Sequence, residues 1–181
     1  MMSIKNRIFS LVAAAAIALS FAISAPAHSA DDQTYLTKKV RKELVTLPYY
    51  GIFDNLAFEI QGDTVVLSGQ VVRASTRKDA ERRIAKIEGV ENVINKIEVL
   101  PPSSFDDRIR LRTYRAVFSK GSLYRYAQGA NPLIHIVVNR GKVTLEGIVA
   151  NETDKNLAFI AANGVPEVFS VTNNLRVKDQ N

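Results

Sequence analysis

From Asp31 onward the apolar positions recur with two periods, near 3.6 and near 2, and the switches between them mark out elements. In "DDQTYLTKKVRKELVTL", Leu36, Val40, Leu44 and Leu47 fall on one helical stripe, with Asp32 or Thr34 placed to cap it and Pro48 to end it. The turn "PYYGIFDN" leads to a strand, "LAFEI", and "QGD" turns the chain into "TVVLSGQVV", where Val65, Leu67 and Val71 share a face. "STRKDAERRIAKIEG" then reads as an amphipathic helix, with Thr76, Ala80, Ile84 and Ile87 inward and Lys78, Arg82 and Lys86 on the opposite side. "VENVINKIEVL" closes the unit as a strand in which Val93, Ile97 and Val99 share a face. The order is α-β-β-α-β, and "PPSS", residues 101–104, is the natural linker.

The order then repeats. "DDRIRLRTYRAVF" places Leu111, Tyr114 and Phe118 on one helical stripe and Arg108, Arg112 and Arg115 on another. A loop around "SKGSLYRYAQGANP" follows, then strands "LIHIVV" and "KVTLEGIV", helix "ETDKNLAFIAAN" and strand "VFSVTNNLRV". Sliding "GDTVVLSGQVVRASTRKDA" forward by 78 residues lays it on "RGKVTLEGIVANETDKNLA" without a gap, so that Leu67 meets Leu145, Gly69 meets Gly147 and Asn95 meets Asn173. Such self-similarity governs the whole reading. It predicts an α+β protein of two tandem domains, 31–100 and 105–181, each with two helices on one face of a three-stranded mixed sheet.

The first thirty residues are different in kind. Lys5 and Arg7 precede the apolar run "IFSLVAAAAIALSFAI" and the small residues "SAPAHSA", the pattern of a secretory signal peptide over 1–30, cut after Ala27 or Ala30. No later stretch approaches the ~20 apolar residues of a membrane span, so the mature chain is expected to be periplasmic or secreted, with no transmembrane segment. The chain has no cysteine, which excludes disulfides, thiolate zinc sites, a cysteine nucleophile and a lipoprotein anchor. Of its 24 Lys and Arg, two lie in the leader; the remaining 22 against 18 Asp and Glu give the mature chain a net charge of +4, which favours anionic partners. Export argues against a nucleic-acid partner.

"VVLSGQV" with "EGVENVINKIEV", and "VTLEGIV" with "VFSVTNNLRV", resemble the BON domain of osmotically inducible periplasmic proteins and related cell-envelope proteins. "PYYGIFDNLAF" and "GVPEVFSVTNNLRV" are similar to a signal-peptided, two-domain BON subgroup. The resemblance spans nearly all of the mature chain. It implies a protein that is not an enzyme, needs no cofactor, and attaches to phospholipid surfaces or supports the outer envelope. One departure is Glu167 where the first copy has Gly89, which predicts a different turn before the last strand.

The residues themselves offer little chemistry. His135 sits alone in a strand, and Asp63, Asp79, Glu146 and Glu152 lie at turns and polar faces, with no convergent nucleophile or metal set. Gly69 and Gly147 point to close backbone approach, and Asn95 and Asn173 to satisfied backbone groups, because both copies hold them. "NET" at Asn151 matches a glycosylation acceptor only weakly. The informative positions are those where the copies disagree. Glu81 and Arg82 become Phe159 and Ile160, which either pack against the first domain or the Tyr124–Tyr126 loop, or insert into a membrane or partner. Arg108, Arg112 and Arg115, with Lys78, Arg82 and Lys86, are the basic candidates beside them. The expected function is non-catalytic binding of anionic phospholipid surfaces or envelope components; the alternative is a protein-protein or oligomerisation module without lipid contact. Mass spectrometry of the exported protein should find a chain beginning at His28 or Asp31; a chain still beginning at Met1 would contradict the leader assignment.

Overall fold

The computed structural model describes residues 30–129 and 131–178. The predicted leader lies outside them except for Ala30, which begins helix α1 (Ala30–Val45). Leu36, Val40 and Leu44 recur every four residues along α1 and are buried together with Leu47, so the helix lies on the sheet by one apolar stripe. Strands β1 (Asn55–Gln61) and β2 (Thr64–Val71) form an antiparallel hairpin in which Gln61 pairs with Thr64, and Gly62 supplies the positive φ that the two-residue turn demands. Helix α2 (Ala74–Ile84) carries the chain back across the sheet, burying Thr76, Ala80 and Ile84. The third strand then runs parallel to β2 in two pieces, β3 (Asn92–Asn95) and β4 (Glu98–Val99).

The second domain repeats this path with α3 (Ser104–Phe118), a 3-10 turn (Gly121–Ala127), β5 (Ile134–Asn139), β6 (Lys142–Val149), α4 (Glu152–Asn163) and β7 (Ser170–Val177). β5 is antiparallel and β7 parallel to β6, so each sheet is mixed, with its hairpin's first strand at one edge. The 3-10 turn occupies what the sequence gives as loop. Ser104, assigned to the linker, already belongs to α3, which Ser103 caps by accepting the Asp106 N–H at 3.2 Å.

Two residue pairs show why the repeat is so strict. Gly69 and Gly147 hold φ near 107° and 131°, and a Cβ there would lie 2.1 Å from the Asn55 carbonyl oxygen and 2.0 Å from that of Leu133. Any side chain would push the hairpin partner away. Asn95 spans from strand to helix, its amide donating to the Arg77 carbonyl at 3.2 Å and its oxygen accepting the Ile97 N–H at 3.1 Å. Asn173 makes the same two bonds with Lys155 and Leu175, each partner displaced by the same 78 residues.

The structure corrects two expectations. Of the predicted stripe only Phe118 is buried: Leu111 is 50% exposed and Tyr114 is exposed as well, while Asp106, Ile109, Arg110, Thr113 and Val117 turn inward with Phe118. Asp106 and Arg110 take core positions because backbone groups await them. The Asp106 carboxylate accepts the N–H groups of Arg140 and Gly141 at 2.9 and 2.8 Å, and Arg110 donates to the Val138 carbonyl at 2.8 Å. The turn before β7 does not differ from its first-domain counterpart: Glu167 adopts φ 73°, close to the 90° of Gly89, and its carboxylate is paired with Arg112.

Each domain closes over its own helix-side core, with Leu67 and Leu145 at equivalent, fully buried positions. Leu67→Ala or Leu145→Ala should each lower stability by about 2–5 kcal/mol in urea unfolding, because each leaves a cavity. Lys78→Ala, on the solvent side of α2, should stay within about 0.5 kcal/mol.

Candidate functional site

The two domains meet through the turn before β1. Tyr50 to Asp54 project from the first domain so that Ile52 and Phe53 pack against the core of the second. Ile52 accepts the Ile136 N–H through its carbonyl at 2.7 Å, on the free edge of β5, and the Phe53 ring stands edge-on to Tyr114 with centroids 6.4 Å apart. Asp54 shapes the turn by accepting N–H groups from Val72 at 2.7 Å and Gly51 at 3.0 Å. His135 lies beneath it, its Nδ1 3.2 Å from the Gly51 carbonyl oxygen and its ring 5.5 Å from that of Tyr50. That contact requires the proton to sit on Nδ1.

Burial sets the protonation of this group. It pushes the Tyr50 hydroxyl up to about 12 and raises the Asp54 carboxyl, against the two N–H groups that favour its charged form. Burial also lowers His135, although the Gly51 carbonyl works the other way. A second buried carboxylate, Asp154 at the start of α4, accepts from Ser122, Arg125 and Tyr126; burial raises it, and those three bonds together bring it below its ordinary value. Every one of these groups is held in a bond that shapes a turn or a helix start. Among the described residues no cluster of His, Cys, Asp or Glu has the makings of a metal site.

The predicted contact residues are exposed. Phe159 and Ile160 lie on α4 at 36% and 66% exposure, and the interdomain contact is made by Ile52 and Phe53 instead. Arg108 and Arg112 meet the end of the second sheet where α4 runs into β7. There Phe105 and Phe169 stack with ring centroids 5.9 Å apart, the Arg108 guanidinium lies 5.7 Å from the Phe105 ring, and Arg112 pairs with Glu167. Arg115 is exposed one turn further along α3. Lys78, Arg82 and Lys86 stand apart from these, exposed on α2 and the residues after it, with Arg82 paired to Asp79. Sequence reasoning missed Phe169, which is 71% exposed and replaces Glu91 of the first copy. The comparison of copies that exposed Phe159 and Ile160 would have found it nine residues later.

A comparison with family models matches the BON domain at residues 31–101 and 127–179. The chain belongs to the BON domain family. No curated protein matches it. Two similar solved structures are CdsD, a structural protein of the type III secretion system of Chlamydia trachomatis, and the C-terminal domain of CdsD from the same system. Both are 9% identical; the first covers 80% of this chain and 94% of that one with a TM-score of 0.31, the second 80% and 98% with a TM-score of 0.29. The first BON match includes α1, whereas the second begins after α3, so the helix carrying buried Asp106 and Arg110 lies outside the matched residues. The Tyr50–Asp54 turn, by contrast, lies inside the first BON match.

Because His135 is lowered in the folded protein, the unfolded chain takes up the proton first as pH falls through its ordinary value of 6.5. The stability held by neutral His135 is complete above that value and is lost on acidification below it, by at most about 1.4 kcal/mol per pH unit. Asp54 acts in the opposite sense and lower, since its raised carboxyl is protonated in the folded state before the unfolded one. The urea midpoint should therefore fall between pH 7.5 and pH 5.5 for the native chain, and His135→Gln should flatten that fall.

Proposed function

We propose that this BON protein is a non-catalytic, exported binding protein of the cell envelope that associates reversibly with anionic phospholipid surfaces through the second domain. The carrying observation is the exchange of charge for exposed apolar surface between otherwise matched copies: Glu81, Arg82 and Glu91 become Phe159, Ile160 and Phe169. Solvent-facing apolar residues, with Arg108 beside the Phe105–Phe169 pair, suit an interface with apolar depth and negative charge. A non-catalytic role is supported by the structural bonds that occupy His135, Asp54 and Asp154. Export rests on the leader pattern, and the family's occurrence in envelope proteins agrees with it. No helix of the described residues is long and apolar enough to cross a membrane.

Magnitudes divide the work between the two kinds of residue. A basic side chain near an anionic surface contributes roughly 1 kcal/mol, screened within about 8 Å at physiological salt. Arg112 is neutralised by Glu167, so Arg108 and Arg115 are the cations left for lipid. Fully burying a large apolar side chain contributes ~1.5–3 kcal/mol. Phe159 has only a third of its surface still to bury, which leaves most of the apolar gain to Ile160 and Phe169.

Co-sedimentation with phosphatidylglycerol and phosphatidylcholine vesicles tests the reading. The native chain should bind the anionic vesicles more tightly. Ile160→Ser with Phe169→Ser should weaken that binding even at low salt, and Arg108→Ala with Arg115→Ala should steepen its loss as anionic lipid is diluted. Equal binding to both vesicle types, or to native and serine-substituted chains, would count against lipid association.

A further inference from the structure

The edge strands of the two repeats are built alike and covered unequally. Leu56, Phe58 and Ile60 of β1 correspond, at the 78-residue offset, to Ile134, Ile136 and Val138 of β5. The β5 residues are fully buried, whereas their β1 counterparts are only half-buried. The pairing of Gln61 with Thr64 and of Asn139 with Lys142 turns the N–H and C=O groups of these same residues away from the hairpin, toward the open edge. On β5 that edge is filled: Ile136 donates to Ile52, and Val138 accepts from Arg110; on β1 the Leu56 N–H meets the Tyr50 oxygen, and the groups of Phe58 and Ile60 face the edge. Beside β1 there is a cleft of about 620 Å³ between α1, β1 and the adjoining end of the second domain.

The walls of this cleft say what suits it. Leu56, Phe58, Ile60 and Ile148 make it apolar, Arg41 and Arg176 bring two exposed cations, and no carboxylate among the described residues lines it. Neither arginine is in an ion pair among the described residues. A second copy of the chain cannot supply its own Ile52 and Phe53, which are already packed on β5. We propose that the cleft beside β1 receives an extended segment of a partner protein, apolar at successive positions and bearing a carboxylate, which adds to the open edge of β1 as Ile52 adds to β5. None of the residues assigned to lipid contact lines the cleft, so this site stands independently of membrane association.

The probe is an eight-residue peptide with the sequence of residues 48–55, PYYGIFDN, titrated into the ¹⁵N-labelled mature chain. It should shift the amides of Phe58 and Ile60 and slow their hydrogen exchange by about tenfold. A peptide with lysine in place of its aspartate should bind about tenfold more weakly, and Arg41→Glu with Arg176→Glu should reduce affinity for the native peptide by a similar factor. Both arginines are exposed, so these variants should fold as the native chain does; Phe58→Pro, checked for folding by circular dichroism, should abolish the response at β1. The proposal is overturned if β1 amides do not respond at millimolar peptide, if the response appears at Ile136 instead, or if peptide charge makes no difference. It is equally overturned if short-chain phosphatidylglycerol moves the β1 amides and the peptide does not.

Discussion

A sheet edge carries a row of backbone donors and acceptors with only solvent to satisfy them, and the way β5 meets this constraint fixes how the two repeats sit together. One bond from Ile52, one from Arg110 of α3 and the packing of Phe53 on Tyr114 cover the edge, and Ile52 and Phe53 both belong to the turn that Asp54 holds in shape. The contact also buries His135, which would otherwise lie on the open face of a strand. Interdomain orientation, the lowered pKa of the histidine and the burial of β5 from Ile134 to Val138 are therefore one arrangement seen from three sides.

Buried carboxylates do the corresponding work inside the loops. Asp54, Asp106 and Asp154 are all nearly inaccessible, and each accepts hydrogen bonds that would otherwise need water: two backbone N–H groups for Asp54, two for Asp106, and four side-chain donors for Asp154. Removing such a carboxylate leaves buried donors unpaired, which costs about 1–3 kcal/mol for each group. None of the three needs a ligand to explain its place.

The fold was legible because its two strongest signals agree. The apolar stripes of α1 and α2 name their buried residues correctly, and the 78-residue repeat supplies the same order twice. Where the residues of a helix make specific polar bonds inward, the stripe misleads: Arg110 looks like one more arginine of a solvated face until Val138 offers it a carbonyl. The contact that Ile52 and Phe53 make between the domains goes unread in the sequence for a related reason. Periodicity speaks for helices and strands, whereas Ile52 and Phe53 sit in a turn, where an apolar run has no period to betray which surface it meets. A five-residue turn reading Tyr-Gly-Ile-Phe-Asp is itself the unusual feature.

The exactness of the repeat carries a hazard while the chain is still folding. Every strand has two candidate partners of matching pattern in the same molecule, and β1 could close on β6 as readily by side-chain alternation alone as on β2. Such exchanged pairings are a characteristic misfolding route of repeat proteins, within a chain or between chains. The hairpins resist the error through their turns, since Gly62 alone takes positive φ in the first whereas Arg140 and Gly141 both do in the second, where Asp106 grips their two N–H groups. A hairpin closed locally and quickly leaves its strands unavailable to the other copy, so the buried aspartate of α3 also acts as a sorting device between two nearly interchangeable halves.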